Sequence, residues 1–249
     1  MKIIDKIKAK QTDMRDNRPV TVAFLGDSVT QGCFECYKTG ERSLETVFDY
    51  KSAYSTRFKE ILNLIYPNVQ INVINSGISG DNAAGGLARL KRDVSSYNPD
   101  LCVVSFGLND SAAGDIERYK NSLEGIFSTL AAKGTETIFL TQNFMCEKTS
   151  AHLTDDFFIE LSKNFSKIQN DGILKEYMNA AKELCKKYGV RVCDLYPVWE
   201  ELKESGADIT ELLANKLNHP VREYHYYIAI KLIETILETY PYLKSHQIC

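Results

Sequence analysis

The chain has 249 residues, of which 30 are lysine or arginine and 33 are aspartate or glutamate, so its formal net charge is −3. Apolar residues make up 44% and charged residues 25%, a balance that excludes intrinsic disorder and coiled coil and supports a sizeable core. A mildly acidic chain has no global positive field to hold a polyanion. We therefore expect no nucleic-acid partner and an uncharged small-molecule substrate.

The apolar runs are short and the cysteines are scattered. Neither segment 1–16 nor any later run has the continuous apolar stretch of a signal peptide or membrane span, so we expect no membrane insertion. Seven cysteines, an odd number, favour reduced thiols and a cytoplasmic location. Cys33 and Cys36 have the spacing of a redox or zinc pair, but no second ligand pair follows. We interpret them as small residues near a loop and expect no metal.

Short apolar runs alternate with amphipathic stretches along the chain, beginning with a predicted helix over 3–14 that packs outside the sheet. Five runs rich in β-branched residues predict strands over Val20–Leu25, Val69–Ile74, Leu101–Phe106, Thr137–Thr141 and Val190–Leu195. Between and after them, the periodicity predicts helices over Tyr54–Tyr66, Ala83–Tyr97, Ile116–Lys133, Gly172–Tyr188 and Arg222–Tyr240. This succession predicts a doubly wound α/β fold with a five-stranded parallel sheet.

No linker or repeat interrupts the pattern, so we predict one domain over 1–249 with an N-terminal helical extension over 1–18. Segment 33–51 has no clear period, and we predict that it is a long loop inserted over the edge of the sheet.

Polar residues follow three of the predicted strands, where the chemistry of parallel sheets gathers. Ser28 enters a helix directly after the first strand, although Asp27 or Ser28 as a plain N-cap is an alternative of comparable weight. The Gly-rich loop 75–82 offers backbone N–H groups to an oxyanion, and it lacks the lysine and spacing of a phosphate-binding loop. Asn109, after the third strand, offers a side-chain amide at the same edge.

Four histidines are candidates for a general base. His225 lies in register with the apolar face of the last helix, so we expect it to face the core with a satisfied ring. His246 lies in the terminal tail and His152 in a polar loop. His219, followed by Pro220 at the start of a helix, is the remaining candidate.

Four blocks in this order resemble the SGNH (GDSL) hydrolase superfamily: GDSVTQG at 26–32, ISGDNA at 78–83, GLND at 107–110 and NHP at 218–220. The resemblance covers nearly the whole chain. It implies a flavodoxin-like three-layer α/β/α sandwich and hydrolysis of an ester or thioester without a metal or organic cofactor. Carried over, it implies that Ser28 is the nucleophile and His219 the base. The oxyanion hole would be formed by the backbone N–H groups of Ser28 and Gly80 and by the side chain of Asn109.

The sequence departs from the family pattern at Lys216, where many members have an aspartate that orients the histidine. Three alternatives remain. A backbone carbonyl of loop 215–217 could hold the ring and make a Ser–His dyad. An acid from farther back, Asp208 or Glu211, could hold it. The third candidate is the Asn215 side chain. We prefer the dyad or the distant acid.

The insert at 33–51 is the second departure, and its aromatic residues beside polar groups suit a sugar face or a small acyl pocket; they are Phe34, Tyr37, Phe48 and Tyr50. The alternative is a surface flap or a contact in a homo-oligomer. We expect an esterase that removes a short acyl group, foremost acetyl, from a carbohydrate or related small molecule. The alternatives are a lysophospholipase or acyl thioesterase and, from another class, a non-catalytic binding relative.

Overall fold

A five-stranded parallel sheet lies between two layers of helices in this computed structural model, which describes residues 2–238. His246 and the predicted end of the last helix at Tyr240 lie outside the described residues. Seven strands are described: β1 (Val20–Gly26), β2 (Cys33–Lys38), β3 (Leu44–Phe48), β4 (Ile71–Gly77), β5 (Leu101–Ser105), β6 (Glu136–Leu140) and β7 (Arg191–Cys193).

The sheet has the strand order β4-β1-β5-β6-β7, and every neighbouring pair is parallel. This is the flavodoxin-like order, in which the chain reverses direction across the sheet beside its first strand. Every residue of β1 and β5 is buried, as expected where helices cover both faces. The predicted fold class is therefore confirmed.

Ten α-helices cover or flank this sheet in the described part of the chain. They are α1 (Lys2–Thr12), α2 (Ser28–Gln31), α3 (Tyr54–Ile65), α4 (Ala83–Asp93), α5 (Leu108–Ala113), α6 (Ile116–Ala132), α7 (Asp156–Asn170), α8 (Ile173–Tyr188), α9 (Tyr196–Glu204) and α10 (Arg222–Leu237). Helices α3 and α10 pack together, while α4, α6 and α8 pack side by side.

The N-terminal helix α1 is part of the core, because Ile3, Ile4 and Ile7 are buried along one face at the spacing of a helical turn. Its first backbone N–H groups donate to the carboxylate of Glu136, the Ile3 N–H at 2.8 Å. The predicted helical extension thus packs onto the central domain.

The five predicted strands and the five predicted helices that follow the first strand are present, with their described ends shifted by up to four residues. The helix predicted to reach Tyr97 stops at Asp93 and is followed by a 3₁₀ turn. Helices α5, α7 and α9 were not predicted. Within the described residues, no helix is long and apolar enough to cross a membrane.

The prediction of a loop over 33–51 is wrong, because this segment forms an antiparallel hairpin of β2 and β3. Cys36 pairs with Thr46 and Lys38 with Leu44, but the register shifts between Cys33 and Cys36. Such a bulge inserts an extra residue into one strand and breaks its alternation. The period of two that identifies a strand is therefore absent from the sequence of β2.

Candidate active site

Ser28 begins helix α2 directly after the central strand β1. Asp27 caps this helix, since one carboxylate oxygen accepts the Val29 N–H at 3.0 Å and the other accepts the amide of Gln142 at 3.0 Å. Burial, reinforced by the charges of neighbouring carboxylates, raises the pKa of Asp27 to about 7. Asp27 is therefore the N-cap of α2, and the cap fixes the turn that presents Ser28.

The segment that carries His219 is a tight turn organised by Asn215. The side-chain oxygen of Asn215 accepts the backbone N–H groups of Leu217, Asn218 and His219 at 3.0, 2.9 and 3.0 Å. Lys216 adopts a left-handed conformation with φ of 58° within this turn. Asn215 thus acts on the backbone of His219 and does not contact its ring.

Both nitrogens of the buried His219 ring have partners. Nε2 lies 2.9 Å from the hydroxyl of Ser28, and Nδ1 lies 2.8 Å from the backbone oxygen of Phe34. A carbonyl oxygen can only accept, so Nδ1 carries the hydrogen and Nε2 presents its lone pair to Ser28. Burial lowers the pKa of His219 to about 4. The hydrogen bond to Phe34 and the charge of Glu35 both raise this pKa, but burial has the larger effect. The ring is therefore neutral at pH 7.

The two distant acids are wrong candidates for holding the histidine ring. Asp208 is paired with Lys148 at 2.7 Å, and Glu211 is paired with Lys216 at 2.9 Å. Lys216, which occupies the position of the family's aspartate, thus forms an ion pair with Glu211. The carbonyl that binds the ring belongs to Phe34 in the hairpin, and not to loop 215–217 as predicted.

Gly80 and Asn109 lie at the same edge of the sheet as Ser28. Gly80 has φ of +77°, and the space that a Cβ would take there is open. The Asn109 amide donates one hydrogen to the backbone oxygen of Asp81 at 2.7 Å, which orients the group and leaves its second hydrogen for a ligand.

One cavity of about 210 Å³ brings the four family residues Ser28, Gly80, Asn109 and His219 together. Its other lining residues come from the hairpin, from helix α7 and from the loops: Cys36, Leu44, Thr46, Ser79, Leu161, Phe165, Asn215, Leu217 and Asn218. The cavity therefore has an apolar wall built by the hairpin and by a helix that the sequence did not predict.

Two supporting side chains escaped the sequence analysis, Gln142 and Arg89. Arg89 is buried and donates to the backbone oxygens of Gly26 and Ser76 and to the carboxylate of Asp81. It therefore joins the loops after β1 and β4. A sequence signal exists, because Arg89 lies three residues after Gly86 on the buried face of α4.

The other described histidines lie away from the serine. His225 is buried and its Nδ1 accepts the Tyr54 N–H at 3.2 Å, but Nε2 has no protein partner in the described residues. The expectation of a satisfied ring is thus wrong for one nitrogen. His152 is exposed, with Nε2 3.7 Å from a Glu211 oxygen.

The cysteine pair of the hairpin consists of two free thiols, Cys33 and Cys36. Burial raises the pKa of both thiols. Among residues 2–238, no group of three or more potential ligands is placed to hold a metal ion.

The aromatic residues of the hairpin region separate into two sets. Phe34 is fully buried, with the Arg222 guanidinium 4.3 Å from its ring centre. Tyr37, Phe48 and Tyr50 are more than 40% exposed, and the nearly parallel rings of Phe48 and Tyr50 lie 6.2 Å apart. Phe34 therefore cannot contact a substrate through its ring, whereas the other three are accessible.

A flavodoxin-like sheet that carries a serine, a histidine, a glycine and an asparagine in one cavity at its carboxyl edge defines the SGNH class of proteins. Residues 24–225 match the GDSL-like lipase/acylhydrolase family. The chain belongs to this family, and the resemblance is confirmed.

Two curated relatives match over short stretches. An acetylxylan esterase of Geobacillus stearothermophilus is 33% identical over 87 residues, which cover 35% of this chain and 38% of that protein. An arylesterase of Vibrio mimicus is 43% identical over 44 residues, or 18% of this chain and 22% of that protein. The matches thus span well under half of either relative.

Solved structures agree over more of the chain. A mutant of an acetylxylan esterase from Geobacillus stearothermophilus has a TM-score of 0.65 at 18% identity, covering 87% of this chain and 94% of that one. A two-domain esterase active on acetylated mannans has a TM-score of 0.67 at 18% identity, covering 95% of this chain and 52% of that one. A lipase/acylhydrolase from Enterococcus faecalis has a TM-score of 0.66 at 18% identity, covering 87% and 95%. At this identity the likeness shows the fold.

Proposed function

We propose that the protein is a carboxylic ester hydrolase that acts through an acyl-enzyme on Ser28. The observation that carries the proposal is the 2.9 Å contact between the Ser28 hydroxyl and Nε2 of His219, with Nδ1 held by the Phe34 carbonyl. Serine is a weak nucleophile until a neighbouring base takes its proton. A neutral imidazole with its lone pair on the serine is such a base.

In the proposed reaction, His219 removes the Ser28 proton while the serine oxygen attacks the ester carbonyl. The negative charge of the tetrahedral intermediate falls on the carbonyl oxygen, which accepts from the N–H groups of Ser28 and Gly80 and from the Asn109 amide. His219 then gives its proton to the departing alcohol. Water, activated by the same imidazole, attacks the acyl-enzyme and releases the acid.

A short acyl group, with acetyl as the leading candidate, is the substrate we propose, carried on a carbohydrate. The cavity of about 210 Å³ is smaller than the roughly 300 Å³ at which pockets for drug-sized ligands begin. Its apolar wall suits a methyl group. The exposed rings of Phe48 and Tyr50 offer apolar faces of the kind that sugars stack on. The similarity to an acetylxylan esterase and to an esterase active on acetylated mannans supports the same substrate class.

The test of the reaction is p-nitrophenyl acetate hydrolysis by wild type, Ser28→Ala and His219→Ala. We expect both variants to lose nearly all activity. Ser128→Ala and His152→Ala are matched controls, since both residues are exposed and lie outside the cavity. Equal rates for all five proteins would rule out the proposed chemistry and favour a non-catalytic binding relative.

The test of the substrate compares esters that differ in acyl length or in the alcohol that carries the acyl group. We expect faster turnover of the acetyl than of the octanoyl ester, and release of acetate from acetylated xylo-oligosaccharides. A faster octanoyl ester would move the assignment to a lysophospholipase or long-chain thioesterase. A cytoplasmic location remains a prediction, which fractionation of cells would test.

A further inference from the structure

We propose that Arg222, Glu35 and Asp49, here called the Arg222 clamp, position the Phe34 carbonyl that holds the ring of His219. The clamp residues are positioning residues, because none of them contacts the reacting atoms. This inference rests on the proposed function, since it assigns a task within the same site.

The clamp is a planar guanidinium between two carboxylates. Arg222 binds both oxygens of Glu35, at 2.5 and 2.9 Å, and its Nε donates to Asp49 at 3.0 Å. A two-pronged arginine–carboxylate pair fixes direction as well as distance. Glu35 and Arg222 are each about one-third to one-half exposed, so we assign the clamp a geometric task and little net stability.

The same guanidinium also lies over the residue whose carbonyl matters. Its carbon is 4.3 Å from the centre of the Phe34 ring, and the ring of His225 is a second neighbour, with its centre 4.7 Å away. Phe34 is completely buried. The ring of Phe34 and the carboxylate of its neighbour Glu35 are therefore both held by Arg222, which restrains the peptide unit between them.

The spacing of the contacts supports a joint task. Neighbouring residues Phe34 and Glu35 in β2 bind His219 and Arg222, which lie three positions apart where the chain enters α10. Asp49 follows β3 at the open end of the hairpin, where its backbone N–H donates to the backbone oxygen of Gly32 at 2.9 Å. The clamp thus ties both strands of the hairpin, at their open end, to the segment that carries the histidine.

A physical need for such a device follows from the missing acid. A side-chain carboxylate near the histidine would attract the imidazolium from a range of positions, whereas a carbonyl must be aimed along its hydrogen bond. Displacement of the carbonyl would let the ring rotate away from Ser28. A misplacement of about 1 Å can lower a rate by about 100-fold.

The test compares Arg222→Met with Lys38→Met. Lys38 lies on the same strand and also ties the hairpin to the body, through Asp155 at 3.0 Å, but it lies four residues beyond Phe34, beside the hairpin turn, and does not line the cavity. For p-nitrophenyl acetate we expect Arg222→Met to lower kcat by about 10- to 100-fold with KM nearly unchanged. Lys38→Met should keep the wild-type kcat.

Rescue and a spectroscopic signal separate positioning from general damage. Arg222→Lys keeps the positive charge but loses the planar group that binds both oxygens of Glu35. We therefore expect a kcat between those of wild type and Arg222→Met. The hydrogen-bonded Nδ1–H of His219 should give a downfield proton resonance that Arg222→Met broadens and Lys38→Met retains. If Arg222→Met does not fold by circular dichroism, Glu35→Gln decides, because it leaves the Arg222–Asp49 contact in place.

Wild-type kcat in Arg222→Met, or in Glu35→Gln if that variant decides, would overturn the inference. An equal loss of kcat in Lys38→Met would also overturn it, since the loss of any contact that anchors the hairpin would then lower the rate. Failure of the proposed function itself looks different: Ser28→Ala and His219→Ala would then hydrolyse the ester as fast as wild type.

Discussion

The backbone oxygen of Phe34 and Nδ1 of His219 lie 2.8 Å apart, although 185 positions separate the two residues along the chain. This contact occupies the ring nitrogen that an aspartate holds in a Ser-His-Asp triad. A carbonyl orients the ring and selects its tautomer, but it adds no full negative charge beside the imidazolium.

Removal of the two distant carboxylates should leave turnover unchanged. We expect Asp208→Ala and Glu211→Ala to keep the wild-type kcat, because their partners are Lys148 and Lys216. Steady-state hydrolysis of p-nitrophenyl acetate is the measurement. A fall of about 10⁴-fold, as when a triad aspartate is disabled, would identify the variant residue as the missing acid.

Asn109→Ala should give a folded but slow enzyme. The loss of one oxyanion donor typically costs about 2.7–4 kcal/mol of transition-state stabilisation, or about 10²- to 10³-fold in kcat. Circular dichroism should match wild type. Asn170→Ala is the control, since Asn170 is exposed, its amide donates to the Glu147 carbonyl, and it does not line the cavity. An Asn109→Ala variant with wild-type kcat would remove Asn109 from the oxyanion hole.

The value of kcat/KM should stay constant unusually far into the acid range. Since burial lowers the pKa of His219 to about 4, the imidazole stays a neutral base until the pH falls to that value. We expect a flat profile from neutral pH down to about pH 5 and a decline below it. A decline centred near the ordinary histidine pKa of about 6.5 would contradict this burial.

In Glu35→Gln, the acid limb of the same profile should move to lower pH. The charge of Glu35 raises the pKa of His219, so its removal makes the ring harder to protonate. A shift toward higher pH would mean that loss of the hairpin contact exposes the ring to water.

Asp27→Asn should gain stability relative to wild type as the pH rises. Burial raises the pKa of Asp27 to about 7, so the folded state holds this proton more tightly than the unfolded state. Its favourable contribution is complete below about pH 4 and is lost as the pH rises toward about 7. Asparagine keeps an oxygen for the Val29 N–H and does not titrate in this range.

Urea unfolding of both proteins at about pH 4 and about pH 8 measures the effect. The difference in free energy of unfolding, variant minus wild type, should be larger at the higher pH. Equal differences at the two values would show that Asp27 titrates alike in the folded and unfolded states.

Much of the fold and the grouping of the four family residues follow from the sequence. Strands β1 and β5 are recognisable because burial on both faces requires continuous apolar runs. Ser28 and Asn109 directly follow such strands, and the carboxyl ends of parallel strands meet at one edge. The local order of residues is therefore enough to bring these side chains together.

What holds His219 was decided only by the tertiary structure. The acceptor is the backbone oxygen of Phe34, and a carbonyl is present at every position, so no residue type marks it. Asp208 and Glu211 looked equally suitable along the chain, but two lysines neutralise them in the fold. Sequence patterns report which side chains are apolar, charged or nucleophilic. They carry no record of which backbone atom a hairpin brings against a ring from the other end of the chain, because that contact exists only after the chain has packed.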